Sequence, residues 1–128
     1  MSFDRKYLIS ALCYAIAGMC LGIFMAASHN HGQHVTHAHA MLVGFVVALI
    51  YGVIHKLWLP QKSSTLASAQ FIVHQLGAIL MVLGLFLLYG EFVPEAQIET
   101  LLKIASLAVL LGAVLMLTMV VKSRPAQA

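Results

Sequence analysis

Four predominantly apolar runs, at 7–27, 38–59, 66–89 and 98–121, leave this chain little choice of fold. A hydrocarbon core about 30 Å thick takes roughly 20 residues of α-helix to cross. Within that core a lipid-exposed backbone must bond its own N–H and C=O groups, so each run predicts one transmembrane helix. The expected fold class is an all-α membrane protein, an antiparallel bundle of four helices forming one domain over 1–128. Composition agrees: 62% of the residues are hydrophobic, 9% are charged and the mean hydropathy is +0.96, which leaves no stretch for a soluble domain. The first run follows Arg5 and Lys6, as a signal peptide would, but exceeds the ~7–15 residues of a signal core and reads as a permanent helix.

Charge sets the expected orientation. Arg5, Lys6, Lys56, Lys62, Lys122 and Arg124 fall on one side of a four-span chain, whereas Lys103 falls on the other with Glu91, Glu95 and Glu99. Lysine and arginine favour the cytoplasmic side of short loops. Both termini are therefore expected in the cytoplasm, and the loop 28–36 on the periplasmic side of a bacterial inner membrane. The net charge of +3 is mostly these topogenic residues, so membrane lipid is the partner it implies and nucleic acid is not.

The histidines are the unusual feature. His29, His31, His34, His37 and His39 crowd eleven positions at the mouth of the second run, His55 lies near its other end, and His74 lies in the third. Imidazole gains nothing from lipid and is the commonest side chain offered to metals. The five clustered rings suit copper or zinc, with Met41 as a soft Cu(I) ligand, or form a loop that simply titrates. No cysteine or carboxylate stands close enough in sequence for a structural zinc pattern.

His37 and His55 are eighteen positions apart, five turns of an α-helix, which predicts one shared face with the rings about 27 Å apart along the axis. Met41, Gly44, Ala48 and Gly52 lie on that face with Tyr51 beside it, and such small residues leave a groove for a planar cofactor or a neighbouring helix. His39 is expected to point roughly the opposite way. His74, followed by Gln75, is about two turns into the third helix and near the depth of His55. That pair could ligate a haem b, or combine a haem ligand with a quinone hydrogen-bonding partner; a plainer role is hydrogen bonding between helices.

Elsewhere packing is the default. Cys13 and Cys20 share a face of the first helix and read as buried packing thiols. Gly18 and Gly22 allow another helix to approach closely. Pro60 ends the second helix before the short polar linker 61–64, and Pro94 sets the break before the fourth. Met116 and Met119 read as core residues.

The segment Thr36-His37-Ala38-His39-Ala40-Met41-Leu42-Val43-Gly44-Phe45 resembles the His-Ala-His-x-Met-x-x-Gly-Phe signature of the NnrS family, haem- and copper-containing bacterial membrane proteins linked to nitric oxide. More loosely, His37, Met41, Gly52 and Pro60 are spaced like the second helix of subunit I of haem-copper oxidases and nitric oxide reductases. The resemblance covers one helix of four. It implies haem b with His37 as an axial ligand on the outer side; position along the helices, rather than the resemblance, adds His39, His55, His74 and Met41 as further cofactor-binding candidates. Its functional implication is electron transfer or the binding of a diatomic gas such as nitric oxide or oxygen. The chain has no His-His pair or His-Pro-x-x-Tyr segment like those families' copper-binding helices, so the resemblance implies an oxidoreductase component rather than a complete reducing centre.

No other run supplies a histidine near the outer surface. A second axial ligand is thus expected from His39, from the loop, or from His37 of a second copy, which predicts a homo-oligomer. A quinone or a respiratory-chain protein would be its redox partner. Two other classes remain open: a copper-handling or metal-sensing protein using the outer cluster, and a small accessory subunit of a respiratory complex.

Overall fold

The structure is a computed structural model, describing residues 1–59 and 64–123. Four helices are each long and apolar enough to cross a membrane: α1 (Phe3–Ser28), α2 (His34–Leu57), α3 (Thr65–Tyr89) and α4 (Glu95–Lys122). The helix stop assigned to Pro60, the linker bearing Lys62, and Arg124 lie outside the described residues.

Helix ends follow local chemistry. Asp4 sits in the first turn of α1, where a negative charge complements the helix dipole. At the other end His29 takes the left-handed conformation, φ 55°, that closes a helix. Glycine usually fills this position, but histidine tolerates it better than most side chains. Asn30 Oδ1 then accepts from the Gly32 N–H at 3.0 Å, turning the chain towards α2. Ser64 caps α3 by accepting from the Ala67 N–H at 3.0 Å, and Pro94 immediately precedes α4.

Helix α2 begins at His34, earlier than the apolar run beginning at 38 implies, so His34 is helical rather than part of a loop reaching 36. The apolar run marks where lipid begins. The helix starts further out, where Gln33 Nε2 donates to the Phe86 carbonyl at 2.9 Å and Thr36 Oγ1 donates to Gln33 Oε1 at 2.6 Å. A second departure follows, because Ala40–Val47 is wound as a π-helix before α-helix resumes over Ala48–Leu57. Such segments are rare and often mark functional positions.

Small residues set how closely the helices approach. A Cβ on Gly44 would collide with the Tyr14 ring, and one on Gly52 would stand 3.2 Å from Tyr7 Cβ, so α1 fills the groove along α2. On the opposite side, a Cβ on Gly77 would stand 2.9 Å from the Val109 backbone nitrogen, so α3 and α4 pack nearly backbone to backbone there. Tyr7, Ala11, Ala48, Tyr51, Ala67, Met116 and Met119 form one core cluster, with Phe3 and Val120 packed against it. Met81, Leu85 and Ala105 form another, flanked by Val35 and Val43. Met116 and Met119 are thus core residues, as expected, but Cys13 and Cys20 are exposed on α1 rather than buried. The face of α1 that packs runs through Tyr7, Ala11, Ala15 and Gly18, and both thiols project from its other side.

Candidate functional site

The candidate histidines divide into two groups with different hydrogen bonding. At the loop end, His37 is directed at α1. Its Nδ1 lies 2.8 Å from the Gly18 carbonyl oxygen, and a Cβ on Gly22 would stand 3.1 Å from its Cε1. Gly18 and Gly22 therefore do more than let helices approach, since together they form the seat of the ring. His39 Nδ1 lies 2.9 Å from the Val35 carbonyl of its own helix, and His34 Nδ1 lies 2.9 Å from the His31 carbonyl. A carbonyl only accepts, so each bond assigns the proton to Nδ1 and leaves the neutral ring's lone pair on Nε2. Ligating histidines commonly have this arrangement, in which an outer partner fixes ring and tautomer.

His37 and His39 are two residues apart on one helix and do not face each other. His29, His31 and His34 are exposed. Among the described residues no three His, Cys, Asp or Glu side chains converge as a metal-binding group. The Met41 thioether does not turn towards the loop, because it packs against Gly18, where a Cβ would stand 2.5 Å from its sulfur.

The other group lies towards the end of the bundle that carries Asp4 and Lys56. His74 is fully buried, and His55 is 7% exposed. Phe3 and Tyr7 stack on the His55 ring at centroid distances of 5.3 and 5.8 Å, while Tyr51 meets His74 edge-on at 5.1 Å. Tyr7 also lies 6.0 Å from His74, so one tyrosine of α1 touches both imidazoles. Among the described residues, no hydrogen bond of full geometry reaches either nitrogen of His74 or Nε2 of His55, although the Val43 backbone lies close enough to His74 to act on its ring.

Although Ala40–Val47 departs from 3.6-residue winding, His37 and His55 both meet α1, at Gly18 and at Phe3 and Tyr7. The groove between them holds α1 side chains. Gln75, the neighbour of His74, donates to Ser10 Oγ at 2.9 Å, the interhelical role expected of a polar residue here.

Tyr7 and Gln70 emerge only from the structure. The Tyr7 hydroxyl donates to Gln70 Oε1 at 2.5 Å, and Gln70 Nε2 donates to the Gly112 carbonyl at 3.1 Å, linking α1, α3 and α4 through fully buried side chains. A tyrosine and a glutamine within apolar runs were the available signal. A cavity of about 470 Å³ lies apart from both histidine groups, lined by Leu88, Glu95, Glu99, Leu102, Lys103, Ser106 and Leu107. Lys103 is paired there with Glu99 at 2.7 Å.

No family model, curated protein or solved structure matches this chain.

Proposed function

We propose that this chain is a haem b-binding integral membrane protein, serving electron transfer or the binding of a diatomic gas through His37 and His39. The observation that carries the reading is the pair of carbonyl-held Nδ1 atoms, His37 on Gly18 and His39 on Val35, which leave the Nε2 lone pairs to a ligand. Both rings are half-buried and accessible, as axial ligands must be. The π-helix begins at the next residue, Ala40, and the segment Thr36 to Phe45 carries the likeness to the NnrS signature. The protein would supply axial ligation, partial burial and hydrogen bonding, the levers that tune a haem.

Because His37 and His39 cannot face one another, a haem held by either would need a further histidine from the loop or from a second copy, and the second-copy arrangement makes the working unit a homo-oligomer. The bundle is antiparallel, with both termini in the cytoplasm of a bacterium and His34 at the periplasmic face of its inner membrane. The pairing of Gly22 with His37 and of Asp4 with Lys56 supports this arrangement, as does the crowding of Arg5, Lys6, Lys56 and Lys122 at one end. A quinone or respiratory-chain protein exchanges the electrons.

An absorption spectrum of protein purified after expression with ample haem and copper tests the reading. Reducible b-type bands that disappear in His37→Ala are expected. A colourless protein with stoichiometric copper would replace this reading with copper handling by His29, His31, His34, His37 and His39. A colourless, metal-free protein would leave an accessory subunit.

A further inference from the structure

Helix α4 carries charge at the level where hydrocarbon should begin. Lys103 and Lys122 are nineteen residues apart on it, about 28.5 Å of helix against the ~30 Å of a hydrocarbon core, and no charged residue lies between them. The first two turns, which hold Glu95 and Glu99, therefore stand in the headgroup layer. The side chains of Lys103 and Glu99 are 70% and 54% exposed. Beyond Lys103 the same exposed stripe continues without charge as Leu107, Leu110, Val114, Leu117 and Val121, in steps of three and four residues that keep one helix face towards lipid. At the adjoining end of α3, Tyr89 is exposed in the place of an interfacial aromatic.

The cavity of about 470 Å³ between the end of α3 and the start of α4 lies at this level. Leu88, Leu102 and Leu107 give it apolar walls, and Glu95, Glu99 and Lys103 add two carboxylates and one ammonium. Glu99 holds Lys103 at 2.7 Å, whereas Glu95 has no ion pair among the described residues. Ser106 Oγ is committed to the Leu102 carbonyl at 2.8 Å. An exposed pair one helical turn apart is weakly held, so each partner can exchange for a ligand group. The surplus carboxylate favours a ligand that brings a cation. The order of charge along the axis, with Lys103 nearest the hydrocarbon and Glu99 about 6 Å further out, favours an anion next to acyl chains and a cation beyond it.

We propose that this cavity is a binding site for phosphatidylethanolamine. Its acyl chains lie along the stripe that begins at Leu107, its phosphodiester accepts from Lys103 Nζ, and its primary ammonium donates to Glu99 and Glu95. Charge-assisted hydrogen bonds of this kind require N–H donors on the cation. A primary ammonium has them, as a lysine does, whereas the quaternary ammonium of phosphatidylcholine has none. Phosphatidylglycerol brings an anion with no cation to answer the two carboxylates. The site shares no residue with either histidine group, so it does not rest on the haem reading.

The test is native mass spectrometry of the full-length protein, released from mixed micelles that hold equal amounts of phosphatidylethanolamine, phosphatidylcholine and phosphatidylglycerol with identical acyl chains. The wild-type protein should retain phosphatidylethanolamine roughly fivefold more than either competitor, the order of discrimination that an exposed ion pair supplies. Glu95→Gln combined with Glu99→Gln should erase the advantage over phosphatidylcholine. Lys103→Gln should instead lower retention of both lipids and leave their order unchanged, because both carry the phosphodiester. Equal retention of phosphatidylethanolamine and phosphatidylcholine by the wild type overturns the site. A wild-type preference for phosphatidylglycerol does so too, as does a phosphatidylethanolamine preference that survives in the double glutamate variant. If a variant fails to fold, the wild-type comparison decides by itself. The readout involves no iron, so loss of the lipid site and loss of the haem reading are separate results.

Discussion

The Nδ1 of His37 stands 2.8 Å from the carbonyl oxygen of Gly18, one helix away. This contact fixes a half-buried ring from outside its own helix, and it depends on α1 presenting no side chain at Gly22, while the bare Gly18 makes room for Met41 of α2. A Cβ on Gly22 would come within 3.1 Å of the ring, and a longer side chain would occupy its place. Gly22→Leu should therefore displace His37 and weaken haem binding by roughly 10–100-fold, the usual cost of losing an outer-shell orienting contact. Titrating haem into the purified variant and following the b-type bands measures this. Undiminished affinity with unchanged helical circular dichroism would show that His37 does not hold the haem.

Tyr7 and Gln70 form the only direct side-chain hydrogen bond between fully buried residues of α1 and α3 among the described residues. Tyr7→Phe leaves Gln70 Oε1 unpaired in the core and should destabilise the protein by about 1–3 kcal/mol. Adding Gln70→Leu removes the stranded partner and should recover part of that loss, making the double variant less destabilised than the sum of the singles. Reversible unfolding in mixed micelles provides the comparison. Simple additivity would mean that the bond contributes nothing.

The glycines between α3 and α4 should not respond alike. A Cβ on Gly77 would stand 2.9 Å from the Val109 backbone nitrogen, which cannot move without moving α4. A Cβ on Gly112 would stand 3.3 Å from His74 Cβ and 3.4 Å from its Cα, a looser approach that asks α3 to give by only a few tenths of an ångström. Gly77→Ala should accordingly cost about 1–3 kcal/mol by overpacking, and Gly112→Ala less. Thermal unfolding of both variants tests the order, and a reversed order would contradict the close approach at Gly77.

His74→Leu should raise thermal stability, since it replaces a buried ring with two unpaired nitrogens by an apolar side chain of similar volume. The gain expected is about 1–3 kcal/mol. In the same variant the b-type bands assigned to His37 and His39 should persist, because His74 belongs to the other histidine group. A destabilised His74→Leu protein would show that the nitrogens are satisfied by a bound molecule, and lost bands would make His74 a haem ligand.

The apolar runs determined the four helices of this protein, because a lipid-spanning backbone has few other ways to satisfy its hydrogen bonds. They also marked the close approaches at Gly18 and Gly22, since small side chains declare themselves without tertiary information. Hydropathy did not reveal the true start of α2 at His34, because helix continues past the edge of lipid wherever side chains such as Gln33 and Thr36 hold it. Nor did it reveal the π-helix over Ala40–Val47, which no residue type in that stretch announces. Only the folded arrangement separated the histidines into those with one nitrogen held and those with none. That distinction depends on which carbonyl of which helix lies opposite each ring, and periodicity along a single chain carries no record of what stands across from it.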